Sequence, residues 1–172
     1  RGLAAALAYG AQGIAMGTRF LMTRDCPVPD PTKARYTKAS TDDILVTTKV
    51  DGMPQRMIRN EVLDQIEKAG RVRMLALALT SAWHLKKLTG ASVGDMIKSA
   101  REMGHGSDMS FGQQMMAAIA PVMFQRSMMA GQPQEGLLAT GLVAGRLGDM
   151  PSCEELVSRM VREARERLAA LA

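Results

Sequence analysis

Aromatic residues, histidine and cysteine are all scarce in this chain: one Trp, two Tyr, three Phe, two His and two Cys among 172 residues. Each scarcity excludes something. So few rings argue against binding single-stranded nucleic acid by base stacking. Cys26 and Cys153 lie far apart and form no CxxC, and His84 and His105 have no partner at ligand spacing. A zinc site and a disulfide framework are therefore not expected, and two plain cysteines fit a reducing cytoplasm. No run of apolar residues is long enough to span a bilayer. No secretory leader is visible, although Arg1 sits in what reads as mid-protein sequence.

What is present is ordinary for a globular domain: 47% apolar and 23% charged residues, with a net charge of +5. A basic balance suits a polyanionic or phosphorylated partner. A solvated basic surface explains it equally well, because the cations are scattered among Asp and Glu.

The front of the chain reads as α/β. "GLAAALAY" has high helix propensity and Gly10 is placed to end it. Ile14, Ala15 and Met16 then form a short continuous apolar run, the pattern of a strand buried in a parallel sheet. "DCPVPDPTK" is a loop, and Asp30 followed by Pro31 predicts an N-cap and first helical residue for a helix to about Ser40. "DILVTTKV" predicts a strand, with a turn at Asp51-Gly52. From Asn60 onward the pattern is mainly helical. "NEVLDQIEKAG" places Val62, Leu63 and Ile66 on one face. Two further helices are expected across 71–103. Residues 110–131 predict a helix pair, or one helix containing Pro121. The last helix opens on a Ser152/Glu155 capping box, with Val157, Val161, Ala164 and Leu168 at helical spacing. Glu155–Arg159 and Glu163–Arg167 have the acid-first order of i,i+4 pairs.

The stretch "GAQGIAMGTRF" (10–20) carries the chemistry that the residues suggest. An apolar strand ending in Gly17, Thr18 and Arg19 leaves backbone amides available to an anion such as phosphate. Glycine permits close approach and Thr18 is placed to cap a following helix. A strand that merely turns at Gly17 is the competing reading. Arg19 either adds charge to an anion site or pairs with a neighbouring helix. The methionines between Met109 and Met129 suit a deformable apolar surface or a helical core.

"RGLAAALAYGAQGIAMGTRFLMT", "VTTKVDGMPQRMIRNE" and "GLLATGLVAGRLGDMPSCEELV" resemble the nitronate monooxygenase (2-nitropropane dioxygenase-like) FMN enzymes over nearly the whole chain. "DGMPQRMIRNE" with "DMPSCEEL" is most similar to a subgroup associated with acyl-CoA intermediates of steroid-ring breakdown. The resemblance implies the C-terminal part of a (β/α)8 barrel: its last helix–strand unit in residues 1–40, then a mainly helical region, 41–172, covering the active site. It implies that Met16, Gly17 and Thr18 meet the FMN phosphate, and that Gly141 and Gly145 approach the substrate, an acyl-CoA thioester or a nitronate. A turn-rich connector or a small-residue packing face is the alternative for those two glycines. Neither His84 nor His105 matches the family's catalytic histidine, so no catalytic residue is assigned within this chain.

A complete barrel needs roughly 250 residues. The expectation is therefore of a fragment, inactive alone, completed by an upstream segment or a companion chain, with homo-oligomerisation left open. The contrasting expectation is a non-catalytic helical interaction module. Lys86, Lys87, Arg71 and Arg73 are either coenzyme A phosphate contacts or a solvated face. His105 is either a surface residue or one that reaches substrate.

Overall fold

The computed structural model describes residues 1–70 and 111–171, together with residues 73, 76, 94 and 98. The helices expected across 71–103, and the side chains of Arg71, His84, Lys86, Lys87, His105 and Met109, lie outside the described residues.

Helix α1 (Gly2–Ala8) forms from the alanine-rich opening and stops where expected. Gly10 has φ +90°, a left-handed conformation that costs a glycine nothing. The expected strand at Ile14–Met16 is not formed. A parallel strand exists only by hydrogen bonding to a neighbour. Among the described residues there is one two-stranded sheet, and this segment is not in it. Ile14 is 42% exposed. One turn of helix, α2 (Thr18–Leu21), follows, and α3 (Asp30–Thr37) comes after the proline-rich loop. Its cap is Pro29 rather than Asp30, and it ends at Thr37, short of Ser40.

Strand β1 (Ile44–Thr47) pairs antiparallel with β2 (Gln55–Ile58), Ile44 opposite Ile58 and Thr47 opposite Gln55. The turn between them includes Asp51-Gly52. β2 has no apolar run to announce it, since Gln55 and Arg56 are polar. Its free edge is extended by residues 138–140. The Ile58 amide donates to the Leu138 carbonyl at 2.9 Å, the Thr140 amide donates to the Arg56 carbonyl at 2.9 Å, and Met57 faces Ala139.

Helix α4 (Glu61–Lys68) is fixed at its start by Asn60, whose side chain accepts the Leu63 amide at 2.8 Å. The Asn60 amide group also donates to the carbonyls of Pro133 and Gly136, at 2.8 and 2.7 Å. One cap residue thus orders both a helix and the approach to 138–140. Helix α5 (Phe111–Met128) is a single helix containing Pro121. Its Met115, Met116, Ile119 and Met123 pack on Met57, Leu63, Ile66 and Leu137 as the larger core cluster. These methionines are core, as the packing reading has it.

A second cluster joins Met22, Tyr36, Ala39, Ile58, Leu138 and Ala144. Tyr36 is fully buried; its hydroxyl donates to the Ala139 carbonyl at 2.6 Å, and burial raises its pKa. Helix α6 (Cys153–Ala169) begins with the predicted Ser152/Glu155 capping box. Its buried residues are Leu156 and Ala164, whereas Val157, Val161 and Leu168 are exposed.

Candidate functional site

Between Gln12 and Arg19 no backbone amide donates to a protein acceptor among the described residues. Gly17 is the cap of α2, and no side chain closes that end. A Cβ placed on Gly17 meets nothing within 4 Å among the described residues. Space and unsatisfied donors therefore coincide at Gly17-Thr18, with Met16 half-buried just before them.

Thr18 does not cap its helix, contrary to expectation. Its hydroxyl oxygen instead accepts the Gly141 amide at 2.8 Å, across 123 positions of sequence. Two of the predicted site residues are thereby in direct contact. Beside them Leu142 and Val143 are 54% and 47% exposed, in the 3-10 turn Leu142–Arg146.

Gly145 stands elsewhere in that turn. A Cβ there would lie 2.3 Å from the Thr41 nitrogen and 2.6 Å from the Ser40 carbonyl carbon. Two backbones touch at this point, so the structure gives Gly145 a packing reason for having no side chain. Gly148, by contrast, is exposed, and a Cβ there meets nothing within 4 Å among the described residues.

Arg19 forms an ion pair, with the loop residue Asp149 rather than directly with a helix. Its side chain is only 9% exposed and its guanidinium meets the Asp149 carboxylate at 2.8 Å. A second nitrogen donates to the Asp149 carbonyl at 3.2 Å. The other carboxylate oxygen of Asp149 pairs with Arg159 of α6 at 2.9 Å. Burial by itself would raise the Asp149 pKa. The hydrogen bond from Arg159 and the charges of both arginines outweigh it and hold the carboxyl below its ordinary value.

The loop after α2 is stapled to the start of α6 as well. Arg24 pairs with Glu155 at 2.9 Å, and the Asp25 carboxylate accepts the Cys153 amide at 2.6 Å. Glu155 and Arg159 thus find partners outside α6 rather than each other. The Arg19–Asp149 pair spans 130 positions, so local sequence patterns gave no signal for it.

No cluster of three metal-ligating side chains occurs among the described residues. Both cysteines are free, and Arg73 is exposed. No described helix is long and apolar enough to cross a membrane.

Residues 1–163 match the nitronate monooxygenase family. Two curated relatives carry the name (3aS,4S,5R,7aS)-5-hydroxy-7a-methyl-1-oxo-octahydro-1H-indene-4-carboxyl-CoA dehydrogenase. The protein of Mycobacterium tuberculosis is 44% identical over 95% of this chain and 46% of its own length. That of Rhodococcus jostii is 40% identical over 99% of this chain and 48% of its own length. The chain thus spans about half the length of the curated relatives it matches. Among solved structures, FabK from Thermotoga maritima superposes with a TM-score of 0.61 at 21% identity, over 99% of this chain and 42% of that one. At that identity the likeness is one of fold.

Proposed function

This chain belongs to the nitronate monooxygenase family, and from that premise we propose that it forms the C-terminal part of an FMN-dependent oxidoreductase acting on a coenzyme A thioester. The observation that carries the reading is the coincidence, at Gly17-Thr18, of open space with amides that have no protein acceptor among the described residues. Such a turn fits a phosphate, which takes several backbone donors at close range. Met16, Gly17 and Thr18 are the residues proposed to hold it.

Bound FMN supplies two-electron redox chemistry; the protein binds, orients and shields it. In this chain Thr18 fixes Gly141 beside the phosphate turn. Gly141 is the proposed substrate contact there. Gly145 joins it through the turn that starts at Leu142, with its own backbone seated on Ser40-Thr41. The thioester is favoured over a nitronate because the relatives matched along nearly the whole chain are named for a carboxyl-CoA substrate. Nitronate chemistry is the second reading; a probable nitronate monooxygenase of Staphylococcus saprophyticus is 32% identical over 40% of this chain and 19% of its own length. Family membership favours both over a non-catalytic interaction module.

The test is anaerobic. Full-length protein purified from cells should carry visible flavin absorbance, and an alicyclic acyl-CoA thioester should bleach it. Bleaching by a nitronate alone would select the second reading. A colourless protein that takes up no FMN would overturn the proposal.

A further inference from the structure

The small sheet is covered along one edge and open along the other. Ile58 and Arg56 of β2 turn their backbone groups toward residues 138–140: the Ile58 amide donates to Leu138, and the Arg56 carbonyl accepts from Thr140. In an antiparallel ladder the backbone groups of successive residues alternate between the two edges. Met57 and Gln55 therefore bond to their register partners Leu45 and Thr47, while Ile44 and Val46 turn their backbone groups away from β2. On that outer edge the Val46 amide and carbonyl, the Ile44 carbonyl and the Thr48 amide have no partner among the described residues. The Ile44 amide and the Thr48 carbonyl are already used, bonded to Thr41 and Gly52. The strand ILVT contains neither a charge nor a proline to protect this edge, and Val46 is 54% exposed.

We infer that β1 is a self-association edge, on which a second copy of this chain pairs antiparallel about a two-fold axis at Val46. In that register the Val46 amide of each copy donates to the Val46 carbonyl of the other, and each Thr48 amide donates to the other's Ile44 carbonyl. Every free group on the edge is used. The groups left over, the Ile44 amide and the Thr48 carbonyl, are the ones already bonded within the chain. Asp43 of each copy also comes opposite Lys49 of the other, and neither residue has an ion pair among the described residues. The pairing is closed, because it consumes β1 and the far edge of β2 is taken by 138–140. A strand of 4 residues buries little surface, so the association is weak and depends on concentration. The edge lies outside the proposed phosphate turn, and neither reading depends on the other.

Sedimentation of full-length protein over a range of concentrations tests this. The mass should rise from monomer to dimer and stop there. Val46→Pro removes an amide that has no partner within the chain, on an edge where proline is tolerated. It takes one donated bond from each copy, so the dimer dissociation constant should rise about thirtyfold or more, with circular dichroism unchanged. Val46→Thr keeps the amide and a β-branched side chain and should dimerise as wild type does. Where Val46→Pro fails to fold, Val46→Lys sets like charges across the axis and should give the same loss. Wild-type protein that stays monomeric at every concentration would overturn the inference, including the case in which another part of the full-length chain occupies the edge. So would a dimer that the folded variant retains, or assembly that continues past the dimer.

Discussion

Residues 11–17 and residues 136–141 are both segments outside the helices and named strands with a few apolar side chains, yet they end in opposite states. Leu138 and Thr140 bond to β2, Ala139 accepts the Tyr36 hydroxyl, and Gly136 accepts from Asn60. Around Ile14–Met16 no strand pairs and the side chain of Ile14 stands partly in solvent. Apolar character does not make a strand; a neighbour offering complementary amides and carbonyls does. Residues 136–141 find that neighbour in β2. Residues 11–17 are left with donors to spare among the described residues, which is the property an anion site requires.

The sharpest way to break this contrast is to close space that the C-terminal segment uses. Gly145→Val would drive side-chain carbon into the Ser40–Thr41 backbone. It should destabilise by about 3 kcal/mol or more, or abolish soluble expression, as measured by urea unfolding. Asn60→Ala removes a helix cap and strands the carbonyls of Pro133 and Gly136. A loss of about 2 kcal/mol is expected in the same assay. Tyr36→Phe takes only the hydroxyl from Ala139 and should cost about 1 kcal/mol.

The same kind of change at the front edge should behave differently. Gly17→Ala meets open space at a negative φ, so unfolding should shift by less than about 0.5 kcal/mol. FMN binding should nevertheless weaken, because the added methyl intrudes where the phosphate is proposed to approach. A stability loss as large as that of Gly145→Val would erase the distinction between the two glycines.

The smallest effect concerns pH. The Glu155 carboxylate accepts the Ser152 amide and pairs with Arg24, which holds its pKa below the ordinary 4.5. A depressed folded pKa gives stability that is complete above the ordinary value and is lost as pH falls through the lowered one. The stability difference between wild type and Glu155→Gln should therefore shrink as pH drops below 4.5. A constant difference across that range would mean that the carboxylate's charge contributes nothing.

Local patterns explain which elements could be read from the residues. Ser152 with Glu155 is a capping signal complete within four residues, and its helix starts as expected; the apolar spacing of Val62, Leu63 and Ile66 likewise marks α4, although its Asn60 cap was not read. β1 has a β-branched and apolar run. β2 is half polar, and 138–140 offers only Leu138 between small residues. β2 is a strand through its pairing with β1, and 138–140 is held along its other edge, which no single segment reveals.

The face of α6 was harder to read for a related reason. Val157, Val161 and Leu168 satisfy helical spacing, but Leu156 and Ala164 are the residues that meet a neighbour. Of the proposed site, Met16-Gly17-Thr18 and Gly141 are singled out by residue type. Their meeting was not: it depends on a hydrogen bond between residues 18 and 141 and an ion pair between residues 19 and 149.

The central claim is that the amides around Gly17 and Thr18 receive the phosphate of FMN. A crystal structure of full-length protein with FMN bound tests it directly. The account predicts phosphate oxygens about 2.7–3.2 Å from the Gly17 or Thr18 nitrogens, with the Thr18–Gly141 bond intact. A phosphate seated elsewhere, with those amides bonded to another part of the protein, would contradict it.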